Sequence, residues 1–200
     1  MSDVHGNYSY RSAASAHGFT LIELMITIFV AFILLALALP SFRDTIMSNH
    51  VTETTNALIT DLNLARSEAV HRGTLVAVVS DSGSNDWSGG WKVIADSAFK
   101  NDGTFTDATD AILHVNSGVD TADHYSVKTK VTTVAGTGIT PTDGTLIFTS
   151  QGNLVSKAAG FDINVCRPDS KPSKSKRITI VTSGMLSTKT DTGGSPAPGC

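Results

Sequence analysis

The 200-residue chain is predicted to be an α+β protein, a long N-terminal helix packed on a C-terminal antiparallel β-sandwich-like domain. Three observations predict it. Phe19 to Leu39 is an apolar run of 21 residues with a single charge, Glu23. Apolar residues then recur at helical spacing as far as Ala69. After Gly73 the pattern becomes short β-like runs bounded by Gly, Asn, Asp and Ser.

Composition narrows the function classes. With 40% hydrophobic and 16% charged residues the chain is too apolar to be wholly disordered. A net charge of −3 and a pI near 6.0 exclude a generic nucleic-acid binder. Two cysteines exclude a disulfide-dense scaffold and a four-cysteine zinc site. No P-loop, HExxH helix or GxSxG elbow is present. Asn101-Asp102-Gly103 with Asp107 and Asp110 misses the EF-hand spacing and its closing glutamate, and the six histidines are scattered. No enzyme, metal or cofactor is expected.

Residues 1–18 are polar, and the apolar run follows them. At ~1.5 Å per residue that run matches the thickness of a bilayer's hydrocarbon core. It is too long for the core of a secretory signal, and the candidate cleavage point, Gly18-Phe19, lies before it. A plain transmembrane anchor leaves Glu23 unexplained, because a carboxylate inside a span costs roughly 2.5–3.5 kcal/mol. A newly exposed α-amino group at Phe19 would be its cationic partner. Pro40 ends the apolar run, and the helix is expected to be kinked or weakened there.

Residues 41–73 are expected to form the amphipathic half of the same helix. Val51, Leu58, Leu62, Ala65 and Ala69 form one stripe, while Thr52, Asp61, Asn63 and Arg66 lie opposite, where a wet face is expected. Gly73 is the helix stop. Candidate strands are Thr74–Ser80, Trp91–Ala95, Ala111–Val115, Tyr125–Val134, Thr145–Thr149, Phe161–Cys166 and Arg177–Thr182. In Tyr125–Val134, alternation places Tyr125, Val127, Thr129 and Val131 on a buried face. Trp87 and Trp91 are expected in the core or a turn, and His114 and His124 beside strands. Residues 191–199 read as a low-complexity tail.

Gly18-Phe19-Thr20-Leu21-Ile22-Glu23-Leu24 resembles the class III signal of type IV prepilins and pseudopilins. The resemblance implies cleavage after Gly18, methylation of Phe19, Glu23 fifth in the mature chain and Pro40 at its usual place. Leu62-Asn63-Leu64-Ala65-Arg66-Ser67-Glu68-Ala69 is similar to a stretch of the FimT/FimU/GspH-like family of minor pilins and H-type pseudopilins. There Leu62, Ala65 and Ala69 would face the sheet, while Arg66 and Glu68 would face water or a neighbouring subunit. That resemblance implies residues 1–18 as leader, 19–40 as transmembrane and assembly helix, 41–73 as its amphipathic half, and 74–200 as a β domain. The β domain would lie in the periplasm of an inner-membrane, single-pass protein that later enters a pilus or pseudopilus. Implied partners are prepilin peptidase, other major and minor pilins, and the inner membrane before assembly. Glu23 would pair with a neighbour's amino terminus and so select axial register. A Cys166–Cys200 bridge is expected outside the membrane, closing a loop of about 35 residues worth roughly 3–4 kcal/mol.

The implied function is that of a minor pilin with a structural role in starting pilus assembly or at the tip. One alternative is an H-type pseudopilin of type II secretion. Another is a DNA-binding minor pilin for natural transformation. Family members of the last kind use a Gly-Arg-x-Arg turn; here the matching place reads Gly184-Met185-Leu186-Ser187, without either arginine. Lys171, Lys174, Lys176 and Arg177 are the substitute phosphate or partner contacts. They belong to a basic stretch, residues 154–190 with net charge +5, that contrasts with net −6 over residues 80–125. Complementarity of these two stretches between subunits is the alternative to two solvated loop regions.

Overall fold

Helix α1, Leu21–Arg72, opens the fold in a computed structural model that describes residues 18–190 apart from 98, 99, 101, 107, 120, 136, 156, 170 and 171. Cys200, Lys171 and the tail over 191–199 lie outside the described residues. The contacts of the chain fall into two units that divide between Arg43 and Asp44.

In the first unit α1 carries an apolar stretch long and uncharged enough to cross a membrane, and its Leu, Ile and Phe side chains are exposed in the isolated chain. Thr20 caps it: its Oγ1 accepts from the Glu23 amide at 3.2 Å and its carbonyl from the Leu24 amide at 3.1 Å. Thr20 and Glu23 thus stand at the spacing of a capping box, with the acid in the first turn where the helix dipole favours it. α1 passes through Pro40 as one element.

In the second unit the expected stripe is the seam of the core. Val51, Leu58, Leu62, Ala65 and Ala69 are buried and cluster with residues of both sheets. α1 stops as expected: Gly73 takes a φ of +68° and its amide bonds the Ala69 carbonyl at 3.0 Å.

Strands follow as β1 Val76–Ser80, β2 Trp91–Ala95, β3 Ala111–Asn116, β4 Ser126–Thr133, β5 Thr145–Phe148, β6 Ala158–Cys166, β7 Lys176–Val181 and β8 Leu186–Thr190. They form two antiparallel four-stranded sheets, ordered β3-β2-β1-β5 and β4-β6-β7-β8. Alternation on β4 holds, with Val127 and Thr129 buried and Lys130 exposed. β8 was not expected from the sequence. Four of its five residues are Ser, Thr or Lys, and they take strand form because β7 supplies the ladder from Ile180↔Leu186 to Lys176↔Thr190.

The connection between β1 and β2 joins the sheets. The Trp87 amide bonds the Val127 carbonyl at 2.9 Å, the Thr129 amide bonds the Asn85 carbonyl at 2.9 Å, and Lys128 pairs with Asp86 at 2.6 Å. Segment 85–87 therefore covers the outer edge of β4. Both tryptophans are core residues, as expected: Trp87 touches the Trp91 ring at 6.5 Å and the Phe161 ring at 6.0 Å, which ties β6 to the first sheet.

Candidate functional site

Gly18, Phe19 and Thr20 stand exposed immediately before α1, and Glu23 lies exposed in the first turn. The residues expected to serve processing and register therefore occupy one end of the helix, four residues from Phe19 to Glu23. In lipid or in a bundle of such helices, an unpaired Glu23 carboxylate demands a cation.

Three polar clamps fix the second half of α1 to the sheets. In the first, the Arg167 side chain is fully buried just beyond β6 and its Nη2 reaches Asp44 Oδ1 at 2.5 Å and Asp169 Oδ2 at 3.1 Å. Its Nη1 donates to Ser48 Oγ at 3.2 Å. Lys174 makes a second ion pair with Asp44. The hydrogen bond from Lys174, then that from Arg167, holds the Asp44 carboxyl at about 2, below its ordinary 3.8. Stability from this clamp is therefore fully present above pH 3.8 and is lost as pH falls through about 2. The expected outcome is that the Tm difference between the wild type and Asp44→Asn closes between about pH 4 and pH 2, read by circular dichroism.

The second clamp corrects an expectation. Asp61 was placed on the wet face of α1, yet it is only 3% exposed. Its Oδ2 accepts from the Trp91 indole Nε1 at 2.8 Å, and its Oδ1 meets His114 Nδ1 at 2.9 Å. β2 and β3 thus bring two donors over the helix, which supply the hydrogen bonds that a buried carboxylate requires. His114 sits on a strand, as expected, with its ring half exposed.

The third clamp corrects the reading of Arg66 as facing water or a neighbour. Its Nε donates to the Gly152 carbonyl at 3.0 Å and its Nη2 to the Ser183 carbonyl at 3.2 Å. One guanidinium so holds the β5–β6 and β7–β8 connections, which suits the planar fork of an arginine. The turns meet tightly: Gly184 has a φ of +74°, and a Cβ there would stand 2.1 Å from the Gly152 carbonyl oxygen. Glu68 is half-buried and pairs with Arg72 at 2.6 Å on the same helix.

The candidate phosphate contacts are partly engaged inside the domain. Lys174 is paired with Asp44, and Arg177 Nε donates to Asn164 Oδ1 at 3.2 Å. Lys176 is half-buried on β7. At the β7–β8 turn Met185 and Ser187, the two places of the Gly-Arg-x-Arg pattern that would carry arginine, are exposed, and Leu186 between them packs on the core. Cys166 is buried at the end of β6, beside Arg167. Sequence reasoning missed Arg167 as a buried residue; its only signal was its position directly after the cysteine that ends an apolar strand.

A capped apolar helix bearing one acid near its start, continuing into the core of a two-sheet β domain, defines a pilin-like subunit. The chain belongs to the family of the type II transport protein GspH, whose model matches residues 54–184. The prokaryotic N-terminal methylation motif matches residues 14–39. Together these place it among the minor pilins and pseudopilins of the FimT/FimU/GspH kind. Among solved structures it is similar to the type IV minor pilin FimU of Pseudomonas aeruginosa, at 20% identity and a TM-score of 0.51, covering 75% of this chain and 93% of that one. It is also similar to the minor pseudopilin EpsH from the Type 2 Secretion System of Vibrio cholerae, at 15% identity and a TM-score of 0.44, covering 70% and 97%. No curated protein sequence matches.

Proposed function

We propose that the chain is a minor type IV pilin, cut at Gly18-Phe19, held in the inner membrane by α1 and then added to a pilus, where it starts assembly or sits at the tip. The observation that carries this reading is the spacing from Gly18-Phe19 to Glu23 at the capped start of an apolar helix. Glu23 pairs with the amino terminus of a neighbouring subunit, and the β domain makes lateral contacts. A Cys166–Cys200 bridge belongs to the same reading and pins the end of the chain to β6.

Deleting the gene and measuring sheared surface pili through the major subunit tests it. Loss of pili supports a role in assembly; unchanged pili reject one. A second reading, an H-type pseudopilin of type II secretion, is favoured by the matching family model. It requires unchanged pili and a loss of secreted protein in the same strain. Under either reading Glu23→Val is expected to insert into the membrane normally but to disappear from the filament fraction, with a drop of ten-fold or more, because an unpaired amino terminus is then buried. Recovery at wild-type levels in sheared filaments would rule out the register role.

A further inference from the structure

β6 is buried on both of its sides at the Cys166 end. Phe161, Ile163 and Val165 belong to the core, so Asp162, Asn164 and Cys166 point to the opposite face of the second sheet. That face should be wet. Yet Asn164 is 0% exposed, and Cys166 is 3% exposed without being part of the core cluster. Asp162, further along the strand, is only half-buried, so the cover is confined to one end. The described connections nearby lead elsewhere. Arg167 and Lys174, between β6 and β7, both reach back to Asp44 on α1. Segment 85–87 follows the outer edge of β4. On the same face the register sets Asn164 opposite Arg177, and Arg177 opposite Lys189. Two cations directly opposed repel each other unless they share an acid. Lys128, on the other side of Asn164, already has Asp86. Asn164, Cys166 and Arg177 each have a further partner.

We infer that residues 191–200 cross the outer face of the second sheet as a strap over Asn164 and Cys166, with Asp191 shared by Arg177 and Lys189. The position of Thr190 selects this occupant. Thr190 pairs with Lys176, and Lys176 with Val165, the neighbour of Cys166, so the strap begins two strands away, about 10 Å from the covered patch. Ten residues reach up to about 33 Å, enough to arch over Arg177 and Asn164. The sequence Asp-Thr-Gly-Gly-Ser-Pro-Ala-Pro-Gly-Cys suits the task. Asp191 brings an acid two positions after Lys189, and Pro196 and Pro198 favour extended backbone that joins no ladder. Its carbonyls supply acceptors for the Asn164 amide and the Arg177 guanidinium. The strap thereby engages Arg177, a candidate phosphate contact, with an acid of the same chain.

The inference shares its far anchor, the Cys166–Cys200 bridge, with the reading above. It is tested without that bridge, so the two can fail separately. In the full-length Cys200→Ser variant in detergent, Cys166 is the single thiol, and its rate of maleimide labelling reports the cover, since a thiol reacts only where reagent reaches it. The expected rate is at least five-fold slower than in the same variant ending at Thr190. Replacing residues 191–199 by Gly-Ser repeats in Cys200→Ser should speed labelling as much, and this second chain serves if circular dichroism shows that the shortened one does not fold. Adding Asp191→Asn to Cys200→Ser should speed labelling at least two-fold, and an unchanged rate overturns the shared acid. Equal rates with and without the native strap, whether fast or slow, overturn the strap itself; if all are slow, another part of the molecule is the cover.

Discussion

Trp87→Ala is expected to destabilise the β domain by about 3–5 kcal/mol, the usual cost of emptying a large aromatic site in a core. Trp87 is wholly buried, and its indole Nε1 donates to the Asp143 carbonyl at 3.1 Å. Its ring bridges Trp91 on β2 and Phe161 on β6, so its loss opens a void between two sheets rather than inside one. Neither sheet collapses easily into that void, because β2 and β6 are both flanked by strands on either side. Natural domains have about 5–15 kcal/mol in total, so the variant loses a large share of its stability. Thermal denaturation of the full-length protein in detergent should show a fall in Tm on the order of 10 °C. Trp87→Phe keeps the ring contacts and loses the indole bond, and should cost about 1 kcal/mol. A fall for Trp87→Ala no larger than for Trp87→Phe would show that the two sheets do not depend on this bridge.

Arg167→Ala is the second large effect, about 2–3 kcal/mol. The guanidinium is the only buried cation among the described residues, and it binds a helix residue, Asp44, more than 120 positions away. Removing it takes away two ion-pair contacts and the bond to Ser48, and it leaves a cavity at the end of β6. Asp44 keeps Lys174 and stays near solvent, so no stranded buried charge is added to the loss. For that reason the cost stays below that of breaking a fully buried pair. Arg167→Met retains most of the packed volume and should recover part of the loss. Equal destabilisation by Ala and Met would assign the whole effect to charge rather than to packing. Asp44 is the first residue of the second unit.

Much of the fold was legible because it depends on periodicity. The stripe from Val51 to Ala69, the Gly73 stop, the inward residues of β4 and the burial of both tryptophans follow from which side chains avoid water, and a 3.6 or 2.0 repeat shows that directly. The polar clamps were not legible. Asp61 and Arg66 sit opposite the apolar stripe, where a charge on a lone helix would face water. The burial of Asp61 and the engagement of Arg66 depend on donors and acceptors from Trp91, His114, Gly152 and Ser183, which are 30 to 117 residues away in sequence. β8 was missed for the same reason: a polar strand is held by its neighbour's ladder and not by its own pattern.

The sequence by itself determined the membrane-length helix, the junction at Gly18-Phe19, the position of Glu23 and the change from helix to strands at Gly73. These are local properties of spacing and hydropathy, readable without any partner. Only the tertiary structure decided that Asp61 and Arg167 lie inside, that Arg66 holds two turns, and that the candidate DNA contacts Lys174 and Arg177 are already engaged. Each of these depends on long-range pairing, where the energy of a charge is set by what the fold brings within hydrogen-bonding distance of it.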